Sequence, residues 1–244
     1  MKRMLLTIAY DGTAYHGWQI QPNAPTVQET VTQSLKELLN KDITVVGTSR
    51  TDAGVHAKEF TCHIDCDDNI PYDAFLRGLN SLLPSDIAVT CCKEVPADFH
   101  ARYNAKGKTY CYNIYNSNAK DPFKLRYAWQ IERKLDIEKM NEFAQTIIGT
   151  HDFYAFSSAE RTVDDTVRTI SECNITKSGD DIKLTVTANG FLYNMVRIIT
   201  GTAVSVSDGK INVGEIPEII KAKDRTRLGM TAPPQGLFLE KVHY

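Results

Sequence analysis

Ser49-Arg50-Thr51-Asp52-Ala53-Gly54-Val55-His56-Ala57 sets a guanidinium, a hydroxyl, a carboxylate and an imidazole within seven residues, none of them suited to filling a core. Its flanks are of the other kind. Ile43-Thr44-Val45-Val46 is a β-branched run, and Phe60-Thr61-Cys62-His63-Ile64 alternates bulky with smaller polar residues, so both read as strands. The motif is then the loop between them. Ala53-Gly54 supplies small side chains and a residue that tolerates positive φ, which lets the chain turn tightly and lets a ligand approach the backbone. An Asx turn alone would account for Asp52 beside Gly54. It would not call for Arg50, Thr51 and His56 as well.

Working outward, Met4-Leu5-Leu6-Thr7-Ile8-Ala9-Tyr10 reads as a first strand. The glycine-punctuated loop Tyr10-Asp11-Gly12-Thr13-Ala14-Tyr15-His16-Gly17-Trp18-Gln19 follows, its aromatic rings either packing beneath it or offering bases a stacking surface. Thr26-Val27-Gln28-Glu29 has the form of a capping box, and Val27, Val31, Leu35 and Leu38 keep helical spacing to about Asn40. A second helix spans 71–83 and stops at Pro84, before a strand at Ile87-Ala88-Val89-Thr90-Cys91. The order β-α-β-β-α-β is that of the ferredoxin-like arrangement, an antiparallel sheet with helices on one face. A second half echoes it. It has a strand at Thr109-Tyr110-Cys111-Tyr112-Asn113-Ile114-Tyr115, a helix through Met140, Phe143, Ala144, Ile147 and Ile148, and strands near 167–176 and 182–188. A helix at 191–199, another capped by Asn212 and a closing strand at Leu237-Phe238-Leu239-Glu240-Lys241-Val242 complete it. The halves, 1–105 and 106–244, meet in a basic, turn-rich stretch running from Asp98 to Lys108. The expected class is α/β of the α+β kind, with two ferredoxin-like halves.

With 244 residues and 42% hydrophobic content the chain can build a core without staples. Its six cysteines, Cys62, Cys66, Cys91, Cys92, Cys111 and Cys173, contain no C-x-x-C and read as reduced, buried thiols of a cytosolic protein. Cys62, Cys66 and His63 lack the second ligand pair that a zinc site would need. Asp11 interrupts the apolar N-terminus before a signal or membrane span could form, and no later segment reaches 18 uncharged apolar residues, so a soluble protein is expected. Net charge is only −2, but it is unevenly spread: residues 100–134 carry eight basic and two acidic side chains, residues 65–98 two basic and seven acidic. That asymmetry suits a polyanion bound on one side.

The same residues resemble the tRNA pseudouridine synthase A family. Ser49-Arg50-Thr51-Asp52-Ala53-Gly54-Val55-His56-Ala57 is similar to its G-R-T-D-A-G-V-H-A signature. Further matches follow in order: Tyr10-Asp11-Gly12, Gly17-Trp18-Gln19, Thr26-Val27-Gln28, Phe99-His100-Ala101-Arg102, Gly149-Thr150-His151-Asp152-Phe153, Asn194-Met195-Val196-Arg197 and Thr231-Ala232-Pro233. The resemblance implies two α/β halves making one extended, mainly antiparallel sheet, with the active site in a central cleft. It implies an isomerase that converts uridine to pseudouridine in the anticodon stem-loop of tRNA without cofactor or metal. A cytoplasmic homodimer holding one tRNA between its subunits is likewise implied. By the same resemblance Asp52 is the nucleophile, Tyr110 meets the target base and Arg197 pairs with the aspartate. Ser49 in place of glycine, and Lys58-Glu59-Phe60 where a Gln-Val pair is common, depart from the pattern and bear on which uridines enter.

Turning uridine into its C-glycoside requires breaking the N-glycosidic bond, turning the uracil and rejoining it through C5. A carboxylate can attack C1′ or stabilise positive charge there, or it can first remove the 2′ proton. The residues leave both routes open. Burial in a cleft works against an ionised carboxylate, and Arg197 is a cation suited to hold Asp52 charged and aimed. Tyr110 can stack on the extruded uracil or take the C5 proton, directly or through water. His56 is given a structural or RNA-contacting role. Arg50 contacts phosphate or opens the target stem, and Arg102, Lys106 and Lys108 position phosphates. Two other classes compete. An RNA-binding module without chemistry would explain the basic segment but leaves Asp52, which repels phosphate, with no task. A metal-dependent nuclease built on Asp52 and His56 would need more clustered carboxylates.

Overall fold

A computed structural model describes residues 1–66, 71–158 and 164–244; Asp67 and Asp68 of the acidic stretch lie outside the described residues. The strands are β1 (Lys2–Tyr10), β2 (Val46–Gly47), β3 (His56–Cys66), β4 (Ile87–Val95), β5 (Gly107–Tyr115), β6 (Trp129–Gln130), β7 (Gly149–Asp152), β8 (Val167–Ser178), β9 (Asp181–Ala188) and β10 (Leu237–His243). The helices are α1 (Val27–Leu39), α2 (Tyr72–Leu82), α3 (Ile137–Thr146), α4 (Met195–Ser207) and α5 (Ile216–Ala222). They form two compact units: Met1–Lys106 with Phe238–Tyr244, and Gly107–Leu237.

In the first unit β1 lies between β3 and β4, antiparallel to both, with Leu6 opposite Cys62 on one side and Cys92 on the other. The far edge of β3 is shared by β2, paired at His63 and Cys62, and by β10, which runs parallel to it with Phe238 opposite His56. The order β4-β1-β3-β2 is the ferredoxin-like one. β2 is shorter than the β-branched run predicts: only Val46–Gly47 pairs, and Ile43 and Val45 are buried without joining a ladder. The Thr26 hydroxyl caps α1 by accepting the Glu29 N–H, and Asn40 closes it at φ 50°. Val27, Val31 and Leu35 are fully buried on one stripe, each stabilising the fold by about 1.5–3 kcal/mol. α2 meets α1 closely at Gly78, where a Cβ would come 2.9 Å from Leu38 Cδ1.

In the second unit β5, β9, β8 and β7 follow one another antiparallel, with Tyr110 opposite Val186 and Tyr112 opposite Leu184. β6 pairs in parallel with β5. Ten of the thirteen residues of α4 are buried, so it is a central helix, closed round by its neighbours rather than amphipathic. It begins at Met195, where the sequence predicts a helix over 191–199. Asn194 takes φ 61°, which no helical residue can hold, so 191–193 stay outside. The helix then runs on through Gly201 to Ser207.

Cys62, Cys66, Cys111 and Cys173 are buried, but Cys91 is exposed and Cys92 half-buried, and none is bonded to another. Burial pushes the Cys92 and Cys173 thiols up to about 12, which makes them inert. His63 points to the opposite face of β3 from its neighbour Cys62. Among the described residues no three His, Cys, Asp or Glu side chains are gathered to hold a metal ion, and no helix is long and apolar enough to cross a membrane.

Candidate active site

The Asp52 loop joins β2 to β3 and is held by a second loop of the same unit, residues 11–18. Trp18 N–H donates to the Thr51 carbonyl at 3.3 Å and Gly54 N–H to the Tyr15 carbonyl at 3.2 Å, while Val55 N–H closes a turn on the Asp52 carbonyl at 3.2 Å. The two backbones approach too closely for side chains between them. At Gly17, where φ is 84°, a Cβ would fall 2.2 Å from the Thr51 carbonyl oxygen and 3.1 Å from the Asp52 carbonyl carbon. At Gly12 a Cβ would meet the Val55 carbonyl in the same way. Beneath them Trp18, 2% exposed, stacks on Phe60 at 4.0 Å, and Gly47 leaves room for its indole. Of the two uses open to the loop aromatics, Tyr15 and Trp18 take the core one. The buried Tyr10 hydroxyl and Thr51 Oγ1 bond at 2.8 Å, fixing the residue before Asp52. Asp52 itself is half-buried, on a backbone held from both sides.

His56 opens β3 and is 1% exposed. Its Nδ1 accepts the Gly12 N–H at 3.0 Å. Asp11 Oδ1 lies 3.2 Å from the same nitrogen, and Phe238 stacks on the ring at 4.6 Å. Of the two roles left open to it, structural or RNA-contacting, burial bears on the structural one. The ring ties the start of β3 to the 11–18 loop.

In the second unit Tyr110 projects from β5, 7% exposed, with its ring edge-on to Phe191 at 5.0 Å. Tyr112, two residues on and therefore on the same face, is fully buried and donates to the Pro233 carbonyl at 2.6 Å. Its burial raises the phenol and the nearby Arg197 charge lowers it, with burial dominant. Arg197 lies in the first turn of α4, half-buried. Its Nε donates to the Ala232 carbonyl at 2.7 Å and an Nη to Asn194 Oδ1 at 2.7 Å, so one plane of the guanidinium is set by neutral acceptors. Ala232 belongs to a strap, residues 229–232, laid directly on α4. A Cβ on Gly201 would overlap the Met230 carbonyl, and Gly229 N–H donates to Thr202 Oγ1 at 3.2 Å. Arg225 grips the strap from its other side, donating to the Gly229 carbonyl at 2.8 Å and Thr231 Oγ1 at 3.3 Å.

The sequence pattern of the tRNA pseudouridine synthase family matches residues 6–104 and 143–244, spanning both the Asp52 loop and the Arg197 turn. The chain belongs to that family. The synthase is an isomerase, and it is similar along its whole length to curated relatives. It is 46% identical over 244 residues to the tRNA pseudouridine synthase A of Thermoanaerobacter sp. (strain X514), with 100% of both chains covered. To the enzyme of the same name from Ruminiclostridium cellulolyticum it is 47% identical over 245 residues, and to tRNA pseudouridine synthase A 2 of Clostridium perfringens 44% over 244, again with both chains fully covered.

Tyr110, Lys106 and Lys108 of the synthase fall between the two matched stretches. Arg50, Arg102 and Lys106 are exposed in the first unit, and Lys108 is half-buried at the start of β5 in the second. Arg102 sits on a loop tied down by two imidazoles: the buried His63 Nδ1 accepts Ala101 N–H at 3.1 Å, and His100 Nδ1 accepts Arg102 N–H at 3.1 Å. The Gly12 and Gly17 clamp, the Asn194 bond and the Arg225 strap escape sequence reading. The one trace of the first is two glycines in a loop rich in rings.

Proposed function

We propose that the synthase isomerises uridines in the anticodon stem-loop of tRNA, with Asp52 as the nucleophile. The observation that carries the reading is the clamped loop: an aspartate between two glycine-tight backbone contacts, in a family of pseudouridine synthases, is aimed before substrate arrives. The carboxylate acts at the ribose, by attack on C1′ or by removal of the 2′ proton. The N-glycosidic bond breaks and the uracil turns; C5 bonds to C1′ as the carboxylate leaves it, or the 2′ proton is returned, and the C5 proton goes to solvent while N1 takes one up. Arg197 is the cation proposed to hold that carboxylate ionised, its own plane set by Ala232 and Asn194. Tyr110 is proposed to meet the uracil once the base has left its stack. Arg50, Arg102, Lys106 and Lys108 take phosphates, a term that weakens with salt. The enzyme is proposed to work in the cytoplasm as a homodimer, with no cofactor or metal.

Tritium release from tRNA transcripts labelled at uracil C5 tests this. Wild-type protein should release label and Asp52→Ala should not, while still binding tRNA. Release by Asp52→Ala at the wild-type rate would remove Asp52 from the chemistry. Transcripts with single uridines in the anticodon arm then map the targets.

A further inference from the structure

The link between β5 and β6 in the second unit carries an aromatic ring with no place in the core: Phe123 is 87% exposed. The turn beneath it is well tied. Asp121 Oδ1 accepts Phe123 N–H at 2.9 Å, and the Asp121 carbonyl accepts from Lys124 and Leu125 at 3.0 and 3.1 Å. Lys124 Nζ donates to both oxygens of Asp181 at 2.7 Å and lies 4.7 Å over the Tyr115 ring, while Asn113 holds the Tyr127 carbonyl at 3.2 Å. The ring is therefore presented to solvent by an anchored turn. Lys120 and Arg126, three residues to either side, are exposed too, and the Arg126 guanidinium lies 5.8 Å over Tyr127. The one acidic side chain of the turn, Asp121, is directed into its own backbone.

We propose that this turn is a second RNA contact of the synthase. Phe123 stacks on an unpaired or stack-end nucleobase of the tRNA, and Lys120 and Arg126 take phosphates on its two sides. An apolar ring alone would serve a protein partner or a second copy equally well. The flanking cations favour a polyanion whose bases offer π-faces. The proposal rests on the synthase reading, since tRNA is the RNA in question.

The test is equilibrium binding of a tRNA transcript to the whole protein over a range of salt. Phe123→Ala should weaken binding roughly 5- to 100-fold, Phe123→Leu nearly as much, and Phe123→Trp should keep the affinity, its added emission quenched by tRNA. Replacing Lys120 and Arg126 by alanine should reduce the slope of log K against log salt by about 1.5. Phe123 is so exposed that none of these variants should fail to fold, and a melting curve confirms it. Equal affinities of Phe123→Ala and wild type overturn the proposal. So does a change in sedimentation by Phe123→Ala with tRNA affinity following it, which would make the turn a protein interface. Failure of the wild type to bind tRNA would instead sink the synthase reading.

Discussion

Gly17→Ala isolates what the clamp does for Asp52. The new Cβ would stand 2.2 Å from the Thr51 carbonyl oxygen, and ordinary contact begins at 3.4 Å, so the two loops must part by about 1.2 Å. The backbone that moves is the one carrying Asp52, whose carbonyl carbon is the next atom the methyl meets. Misplacing a reacting group by about an ångström costs on the order of 10²-fold in rate, or about 2.7 kcal/mol of transition-state stabilisation. Holding alanine at φ 84° adds about 1–2 kcal/mol of lost stability. The second effect needs its own control, and Gly179→Ala supplies one. Gly179 sits at φ 59° with nothing within 4 Å of a Cβ, so it carries the strain without the collision. Single-turnover tritium release and thermal melting should show both variants melting a few degrees early, with only Gly17→Ala losing rate. A wild-type rate in Gly17→Ala at an unchanged fold would refute the idea that the glycine clamp aims the aspartate.

Arg197→Ala should lower turnover more than tRNA affinity; Arg225→Lys, which cannot span Gly229 and Thr231 together, should do the same more weakly and add nothing in the Arg197→Ala background. Additive losses in that double variant would separate the strap from Arg197. His63 is buried beside Arg3 and His100, and burial first, then those charges, lower it from 6.5 to about 4. The folded state thus refuses a proton that the unfolded chain accepts, so this contribution is whole above pH 6.5 and is lost as pH falls toward 4. Urea midpoints at pH 7.5 and pH 5 should diverge less for His63→Gln than for wild type. Equal divergence would place the titrating group elsewhere.

What could be read from the chain follows from how local each cause is. Thr26 and Glu29 mark the start of α1 because the cap is made within one turn, and the stripe Val27, Val31, Leu35 repeats at the helical period. The opening of α4 is misread because Phe191 and Leu192 continue an apolar run, and the break is a single left-handed residue, Asn194. β6, with two residues, and β7, with four, are too short to show a period. At the candidate site, the residue types single out Asp52 but give no sign of what holds its loop. Trp18 is buried by Phe60 and Gly47, all distant in sequence, and His56 by contacts with Gly12 and Phe238, as far from it along the chain. Residues 238–244 read as the close of the second half, yet they group with the first, where Phe238 and Leu239 pair with the start of β3, a partnership that no local pattern encodes.

That last pairing bears on the order in which the protein is made. Gly107–Leu237 is continuous in sequence, and its strands β5, β9, β8 and β7 can pair with one another as it leaves the ribosome. The unit that holds Asp52 cannot. The Lys106 N–H needs the His243 carbonyl, Thr61 needs the Tyr244 hydroxyl, and His56 needs the Phe238 ring. At roughly 5–20 residues per second, the nascent first unit waits on the order of ten seconds with the start of β3 unpaired on the side that β10 will take. The aspartate loop, translated early, is among the last parts of the enzyme to be set.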